Sequence, residues 1–220
     1  MTYNQESLIP YIPASEYEET AEDFLNKYYK DALMNPRVVP IQEIAEDIMH
    51  LKVISEYLSE EVDILGATVF TDGEIEVYNP EEMLYERRFF SAKTILYDPE
   101  AVKKTNDGCK NNTIAHECVH WWKHRMYHKM QQYVLPRQAR YCKCSIKQSV
   151  FANEDEEIME TQAVALAPRI LMPKAPFTDI AKYLKIESVV NDYGKIVELA
   201  DFFQVSKQSA IIRLKECSII

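Results

Sequence analysis

The sequence His116-Glu117-Cys118-Val119-His120 constrains this chain more than any other feature. Two histidines four residues apart lie on one face of an α-helix, one turn above the other, where both imidazoles can bind one metal ion. A glutamate directly after the first histidine lies beside such an ion and can accept a proton from a metal-bound water. The stretch therefore predicts a helix that carries a metal site and a general base.

The residues around this motif have the composition of a buried helix. Asn112 or Thr113 can cap the exposed N–H groups of a first turn, so we predict that the helix begins there. Apolar residues then follow on nearly every side: Ile114, Ala115, Cys118, Val119, Trp121 and Trp122. Buried imidazoles and a buried carboxylate need polar partners, and a metal ion is one such partner.

A catalytic zinc ion takes three protein ligands, so a third ligand is expected from another part of the chain. Asn153 and the acidic residues after it predict the capped start of a second helix, which Pro168 is expected to kink or end. Glu160 lies in the apolar part of this helix, whereas Glu156 and Glu157 lie in its solvated first turn. Position alone makes Glu160 a candidate ligand and leaves other acids open.

The remaining patterns predict an α+β fold, with a small antiparallel or mixed sheet and the motif helix laid across one face. An amphipathic helix is expected over about 15–33 with Ser15 as its N-cap, and a second helix over about 41–49. Strands are expected at about 51–54, 67–70, 74–78 and 93–97. Asp72-Gly73 predicts a tight hairpin between the second and third of these strands.

The segments before and after the predicted helix that contains Glu160 have distinct patterns. Residues 127–150 are polar, aromatic and irregular, which indicates a loop or lid. Two short helical patterns lie within about 196–217 and meet at 204–206, where Ser206 is the expected N-cap of the second. Their spacing resembles a helix-turn-helix.

Composition narrows the compartment and the partners. The formal net charge is −10, from 35 acidic and 25 basic side chains, which disfavours direct binding to nucleic acid or anionic membrane and suits a basic or polar protein partner. The first residues have no signal-peptide pattern, and no apolar run is long enough to span a bilayer. Five cysteines, an odd number, fit a reducing compartment. We expect a cytoplasmic protein of undetermined oligomeric state.

Three segments together resemble the ImmA/IrrE family of metallopeptidases. Residues 113–120 resemble the family's helix A-H-E-x-G-H, and residues 160–173 resemble its second helix, E-x-x-A-N-x-x-A-x-x-(I/L)-L-M-P. Residues 199–214 are similar to its terminal pattern, L-A-x-x-F-x-V-S-x-x-A-x-x-x-R-L. The likeness covers about residues 67–217, and the N-terminal helices add nothing to it.

The resemblance implies a zincin-like core with a defined set of site residues. By this likeness, His116, His120 and Glu160 bind Zn²⁺, and Glu117 is the catalytic glutamate. Other divalent ions suit two nitrogens and one carboxylate as well. The likeness also implies a metallopeptidase domain with N-terminal helices over residues 1–178, and a helix-turn-helix-like helical subdomain over residues 179–220.

Members of this family work inside bacteria, often encoded beside a helix-turn-helix repressor that they cleave or antagonise. The resemblance thus implies an endopeptidase whose substrate is a cytosolic repressor of a stress response or a mobile element. Val119 and Val164 stand where the family has glycine and asparagine. They keep a second hypothesis open, that of a non-proteolytic metal-binding regulator that binds a repressor or DNA.

Two further sets of residues could bind metal. His124 and His128 continue the four-residue spacing, but helical drift of about 40° per step predicts a solvated role, or one behind the metal ligands. Cys142 and Cys144 could bind a soft metal or respond to oxidants, although a structural zinc site needs a second pair. Neither set is expected to supply a ligand to the main site.

Overall fold

The structure is a computed structural model that describes residues 2–3, 8–104, 107–132, 139–145 and 153–220. Its strands are β1 Thr2–Tyr3, β2 Pro10–Tyr11, β3 Lys52–Ser55, β4 Ile64–Val69, β5 Gly73–Asn79, β6 Leu84–Phe90, β7 Thr94–Tyr97 and β8 Tyr141–Ser145. Its α-helices are α1 Tyr17–Tyr28, α2 Asp31–Met34, α3 Ile41–Glu43, α4 Pro99–Lys104, α5 Asp107–Val119, α6 Arg125–Gln132, α7 Glu154–Leu171, α8 Lys174–Tyr183, α9 Tyr193–Phe203 and α10 Lys207–Glu216. Two π-helical turns, Ile44–Ile48 and His120–His124, continue α3 and α5. The predicted α+β class is confirmed.

The first predicted helix is shorter than expected. Ser15 lies inside a 3₁₀ turn and does not cap α1, which Glu16 precedes without a side-chain hydrogen bond. The helix ends at Tyr28 because Tyr29 leaves the helical region, with φ −158° and ψ 62°. The helix predicted over 41–49 is confirmed, although most of it is π-helical.

The central sheet is mixed, with strand order β3-β7-β4-β8. β3 and β7 are parallel, in the register Lys52↔Thr94, and β4 is antiparallel to both β7 and β8. The strands predicted at 51–54 and 93–97 are therefore confirmed. The two inner strands, β7 and β4, are largely buried.

The hairpin predicted at Asp72-Gly73 is wrong, because β4 and β5 belong to different sheets. The backbone N–H of Phe70 donates to the Arg140 carbonyl at 2.8 Å, and the Arg140 N–H donates to the Thr71 hydroxyl at 2.8 Å. The edge of β4 that the hairpin needs is thus occupied by β8. β5 instead pairs with β6 in a separate hairpin.

The loop or lid predicted over 127–150 is wrong for the part that the structure describes. α6 continues the motif helix to Gln132, and β8 joins the central sheet from Tyr141 to Ser145. Residues 133–138 and 146–150 lie outside the described residues.

The motif helix begins at Asp107, earlier than the predicted Asn112 or Thr113. It lies across the central sheet, as expected, and Gly66 on β4 is the point of closest approach. A Cβ atom there would lie 2.5 Å from Thr113 Cγ2 and 2.9 Å from Glu117 Oε1. Since real Cβ atoms need more space than this, only glycine lets β4 and α5 lie this close.

The second motif helix, α7, packs against both α1 and α5. Its predicted cap is confirmed, since the Asn153 side chain accepts a hydrogen bond from the Glu156 N–H at 2.9 Å. Pro168 does not end the helix, which runs on to Leu171 because the proline falls in its last turn. Met172 and Pro173 then close the segment as expected.

The C-terminal helices pack on the rest of the chain through one shared core that includes Leu199, Phe203 and Leu214. The Ser206 side chain accepts from the Ser209 N–H at 3.0 Å, which confirms the predicted N-cap of α10. A domain boundary after residue 178, within α8, stays a prediction.

A cluster of charged side chains around the buried Arg213 also joins these helices to the start of the chain. Arg213 on α10 is 1% exposed and donates to the Glu18 carboxylate of α1, at 2.8 Å for Nη2 and Oε2. It also donates to the Met172 carbonyl at 3.0 Å and to Glu216 at 3.2 Å. Arg169 pairs with Glu216 at 2.9 Å. We call Glu18, Arg169, Arg213 and Glu216 the charged cluster.

Candidate metal centre

Three side chains predicted as metal ligands lie together between α5 and α7. His116 Nε2 and His120 Nε2 are 2.9 Å apart. Glu160 Oε2 lies 3.2 Å from His116 Nε2, and Glu160 Oε1 lies 3.1 Å from His120 Nε2. Both histidines are buried and the Glu160 side chain is 16% exposed, so the three ligand atoms face one small interior space.

The fold explains this convergence. His116 is in the last turn of α5 and His120 begins the π-helical turn, so their rings lie one above the other. α7 packs on α5 and brings Glu160 to face both rings. Two imidazole nitrogens and a carboxylate oxygen are a donor set that catalytic zinc sites use. The three residues fit a divalent cation by their chemistry and by their spacing.

Charge at this site is concentrated on Glu160. Burial would raise the pKa of its carboxyl group, but the adjacent His120 and His116 outweigh burial and hold the pKa well below its usual range. Burial lowers the pKa of His120, which favours the neutral imidazole that a metal requires. The site therefore offers an anionic carboxylate from Glu160 and a neutral imidazole from His120.

Glu117 lies next to this group and is fully buried. The Thr68 hydroxyl of β4 donates to Glu117 Oε2 at 2.7 Å, while Oε1 has no hydrogen-bond partner within the part of the chain that the structure describes. Burial raises the pKa of Glu117 to about 8, although His116 and Thr68 act in the opposite direction. A buried carboxylate with one unpartnered oxygen is costly unless a proton or a cation compensates it.

Sequence reasoning missed Thr68, Gly66 and Cys142 as neighbours of Glu117. Cys142 Sγ lies 4.0 Å from Glu117 Oε2 because β8 is the neighbour of β4. The Cys-x-Cys pattern was a visible signal, but it indicated soft-metal or redox chemistry. The Cys144 side chain falls outside the described residues. Only the unpredicted pairing of β4 with β8 brings Cys142 here.

His124 and His128 are both buried, so the solvated alternative is wrong for each. His124 Nδ1 lies 3.0 Å from His120 Nδ1, behind a predicted metal ligand, and its Nε2 lies 2.9 Å from Gln162 Oε1. His128 stacks on Phe70 with ring centroids 3.9 Å apart.

The cause is the π-helical turn at His120–His124. A π-helix has i→i+5 hydrogen bonds, so a four-residue step falls short of a full turn, whereas in an α-helix it overshoots. The two offsets compensate each other, which keeps the histidines on one side of the helix. Burial lowers the pKa of His124 well below its usual value and that of His128 to about 3, so both rings are neutral.

The two departures from the family pattern lie in different environments. Val119 is fully buried in α5, next to His120. Val164 is 62% exposed on the outer side of α7 and so adds no bulk to the interior. In the part of the chain that the structure describes, no helix is both long and apolar enough to cross a membrane.

Comparisons with known proteins agree with the motifs. A family profile described as the IrrE N-terminal-like domain, Peptidase_M78, matches residues 80–215. No curated protein matches the chain. One solved structure, described as a Mycobacterium tuberculosis transcriptional regulator, matches 93% of this chain with a TM-score of 0.50 at 13% identity. The match covers 47% of that protein, so this chain spans about half its length, and the likeness is one of fold.

The profile covers more than half of the chain and includes the helix with the two histidines as well as the helix with Glu160. The candidate ligand atoms that these helices carry meet at one place. The chain therefore belongs to the ImmA/IrrE family of metallopeptidases.

Proposed function

We propose that this protein is a zinc-dependent endopeptidase. One observation carries the proposal: the ligand atoms of His116, His120 and Glu160 all lie within 4.8 Å of one another, directly beside the buried carboxylate of Glu117. The family supports peptidase chemistry in general. The role of each residue is part of the proposal.

His116, His120 and Glu160 would hold Zn²⁺, although another divalent ion could take its place. When bound, such an ion lowers the pKa of a coordinated water to about 7 and polarises a substrate carbonyl. Glu117 accepts the proton at Oε1, the oxygen that no described residue partners. A cation bound beside Glu117 would favour its ionised form before the reaction, and burial, which raises its pKa, would help it hold the accepted proton and then pass it to the leaving amine.

Thr68 orients the general base. Its hydroxyl occupies Glu117 Oε2 and contacts the Glu117 carbonyl at 3.1 Å, so the carboxylate cannot turn away from the metal centre. Gly66 leaves room for Oε1 against β4. The two residues thus set which carboxylate oxygen faces the reaction.

We propose a cytosolic protein as the substrate, a helix-turn-helix repressor of a stress response or a mobile element. The family resemblance supports this class, and a net charge of −10 suits a partner with a basic DNA-binding surface. The structurally similar regulator is consistent with such a setting. Direct nucleic-acid binding is not part of the proposal.

The first test separates catalysis from metal binding. Glu117→Gln keeps the ligands and removes the base, so we expect cleavage of a repressor encoded beside this gene to fall at least ~100-fold while zinc content stays near one per chain. His116→Ala should lose the zinc itself, as elemental analysis would report. Normal cleavage by Glu117→Gln would refute the assigned base.

The second candidate function is a non-proteolytic metal-binding regulator, and the buried Val119 beside His120 is the feature that favours it. This hypothesis predicts that wild-type protein binds zinc and the repressor but yields no fragments on a gel. A complex with DNA at physiological salt would favour a regulator that contacts DNA itself.

A further inference from the structure

A row of hydrogen bonds leads from the metal centre to the N-terminal segment. It runs from His120 Nδ1 to His124 Nδ1 at 3.0 Å, and from His124 Nε2 to Gln162 Oε1 at 2.9 Å. Gln162 Nε2 then donates to the Pro10 carbonyl at 2.8 Å. His120, His124 and Gln162 are at most 2% exposed. We call these four residues the relay.

The far end of the relay fixes the direction of every bond in it. The Pro10 carbonyl can only accept a hydrogen bond, so the Gln162 amide must present its NH₂ group there and its oxygen to His124. That oxygen also only accepts, so His124 must carry its proton on Nε2. In a neutral imidazole the other nitrogen, Nδ1, then has a lone pair.

The same logic reaches the metal centre. Since His124 Nδ1 accepts, His120 must carry a proton on Nδ1, which leaves Nε2 as the nitrogen that can offer a lone pair to a metal ion. Without an ion, the Glu160 carboxylate 3.1 Å away can accept a hydrogen bond from this Nε2, so Nδ1 is the atom that reports the relay. Nε2 is the atom that faces His116 and Glu160. Hydrogen bonds to the distal nitrogen of a histidine ligand set its tautomer and orientation.

We propose that His124 and Gln162 are positioning residues that hold His120 in its metal-binding tautomer, with the Pro10 carbonyl as the fixed end of the relay. The inference rests on the metal centre of the proposed function. It adds two residues that touch no metal, and a backbone group 152 positions away from Gln162 along the chain.

Packing holds the end of the relay in place. Ile9, the residue before Pro10, is 3% exposed and forms a small apolar cluster with Tyr127 of α6 and Met159 of α7. Pro10 itself pairs with Tyr3 in the β1–β2 ladder. The segment that carries the carbonyl is therefore packed against α6, which continues the motif helix, and against α7, which carries Glu160.

The direct test reads the tautomer in the metal-free protein. We expect ¹⁵N NMR of histidine-labelled protein to show His120 with a protonated Nδ1, and His124 with a protonated Nε2 and an unprotonated Nδ1. His124→Phe should remove the preference of the His120 proton for Nδ1. A wild-type His120 without a proton on Nδ1 would overturn the relay, whether or not the protein binds zinc.

The second test measures zinc affinity by competition with a chelator. We expect His124→Phe to weaken binding about 10- to 100-fold, and Gln162→Met, which keeps the volume but removes both hydrogen bonds, to weaken it about 10-fold. His128→Phe is the matched control, because His128 is buried and stacked on Phe70 but lies outside the relay. It should stay within about twofold of wild type.

A double variant separates a relay from simple packing. If Gln162 acts only through His124, adding Gln162→Met to His124→Phe should change zinc affinity by less than about twofold. Independent, multiplying effects would overturn the inference. Circular dichroism checks the fold of each variant. If His124→Phe folds poorly, Gln162→Glu serves as a second test. It keeps an acceptor for His124 and should therefore bind zinc more tightly than Gln162→Met.

These outcomes distinguish the inference from the function on which it rests. Zinc binding by a wild-type protein whose metal-free His120 has no proton on Nδ1 would remove the relay and leave the metal centre. An Nδ1-protonated His120 in a protein that binds no zinc would keep the relay and remove the metallopeptidase.

Discussion

The relay and the charged cluster satisfy buried polar groups in opposite ways. The relay consists of neutral groups, each with one donor and one acceptor in use, and it ends on a backbone carbonyl. The charged cluster consists of full charges, with Arg213 almost completely buried. The neutral hydrogen bonds of the relay determine which nitrogen or oxygen carries each proton. The ion pairs of the charged cluster determine which helices pack together.

The difference lies in what each region loses when one member is removed. A variant in the relay should change proton positions at the metal centre with little effect on the global fold. A variant in the charged cluster should leave a buried charge without its partner and destabilise the whole protein. Variants in the charged cluster and at the contact between β4 and the motif helix can test this difference.

Arg213→Met should have the largest effect. It removes one of the two arginines that pair with Glu18 and also the donor to the Met172 carbonyl, so we expect the free energy of unfolding to fall by about 3 kcal/mol. Zinc affinity of the folded protein should not change, as titration below the unfolding transition would show. Arg37→Met is the control: its pair with Asp31 is exposed, and its loss should cost about 0.5 kcal/mol.

Gly66→Ala, at the contact between β4 and the motif helix, should have an intermediate effect. The new methyl group would collide with Thr113 and with Glu117 Oε1, so we expect about 2 kcal/mol lower stability and slower cleavage with normal zinc content. Gly194→Ala is the matched control, since no atom lies within 4 Å of the place that its methyl group would take. Equal cleavage rates in both variants would contradict the close contact between β4 and the general base.

The smallest expected effect is that of Glu18 on stability at acid pH. Burial would raise the pKa of Glu18, but hydrogen bonds and charge from Arg213, with Arg169, outweigh it and lower the pKa below its ordinary value of 4.5. Folding then favours the ionised carboxylate, so its contribution to stability is complete above pH 4.5 and is lost as the pH falls through the lowered value. Glu18→Gln should therefore flatten the loss of stability below pH 4.5, measured by urea unfolding.

Glu19→Gln, an exposed change on the same helix, is the control for that acid experiment. In this variant the free energy of unfolding should fall below pH 4.5 as steeply as in wild type. An equally shallow fall in Glu18→Gln and Glu19→Gln would mean that Glu18 does not cause the effect.

The sequence predicted the three residues that the structure brings together at the candidate metal centre, but not the residues that surround them. The spacing of His116 and His120 on a helix follows from helical geometry, and the family pattern singled out Glu160 among several acids. The α+β class followed from local periodicity. These features depend on neighbours in sequence, or on a likeness to known motifs.

What failed depends on contacts between distant segments. Asp72-Gly73 is a valid local turn signal, yet β8 takes the edge of β4 that a hairpin would use. His124 lies behind His120 because a π-helical turn corrects the helical drift, and no simple sequence pattern specifies that turn. Gln162 meets Pro10 only after three segments have packed together.

The relay ends on a main-chain oxygen, and this has a practical consequence. A change of side chain at position 10 cannot delete the acceptor; it can only move it, together with the strand that carries it. If the relay positions His120 as proposed, fusion partners, tags or binding molecules that displace this strand should alter the affinity for metal. Protein with its affinity tag at the carboxyl terminus is therefore the appropriate reference for every affinity measurement.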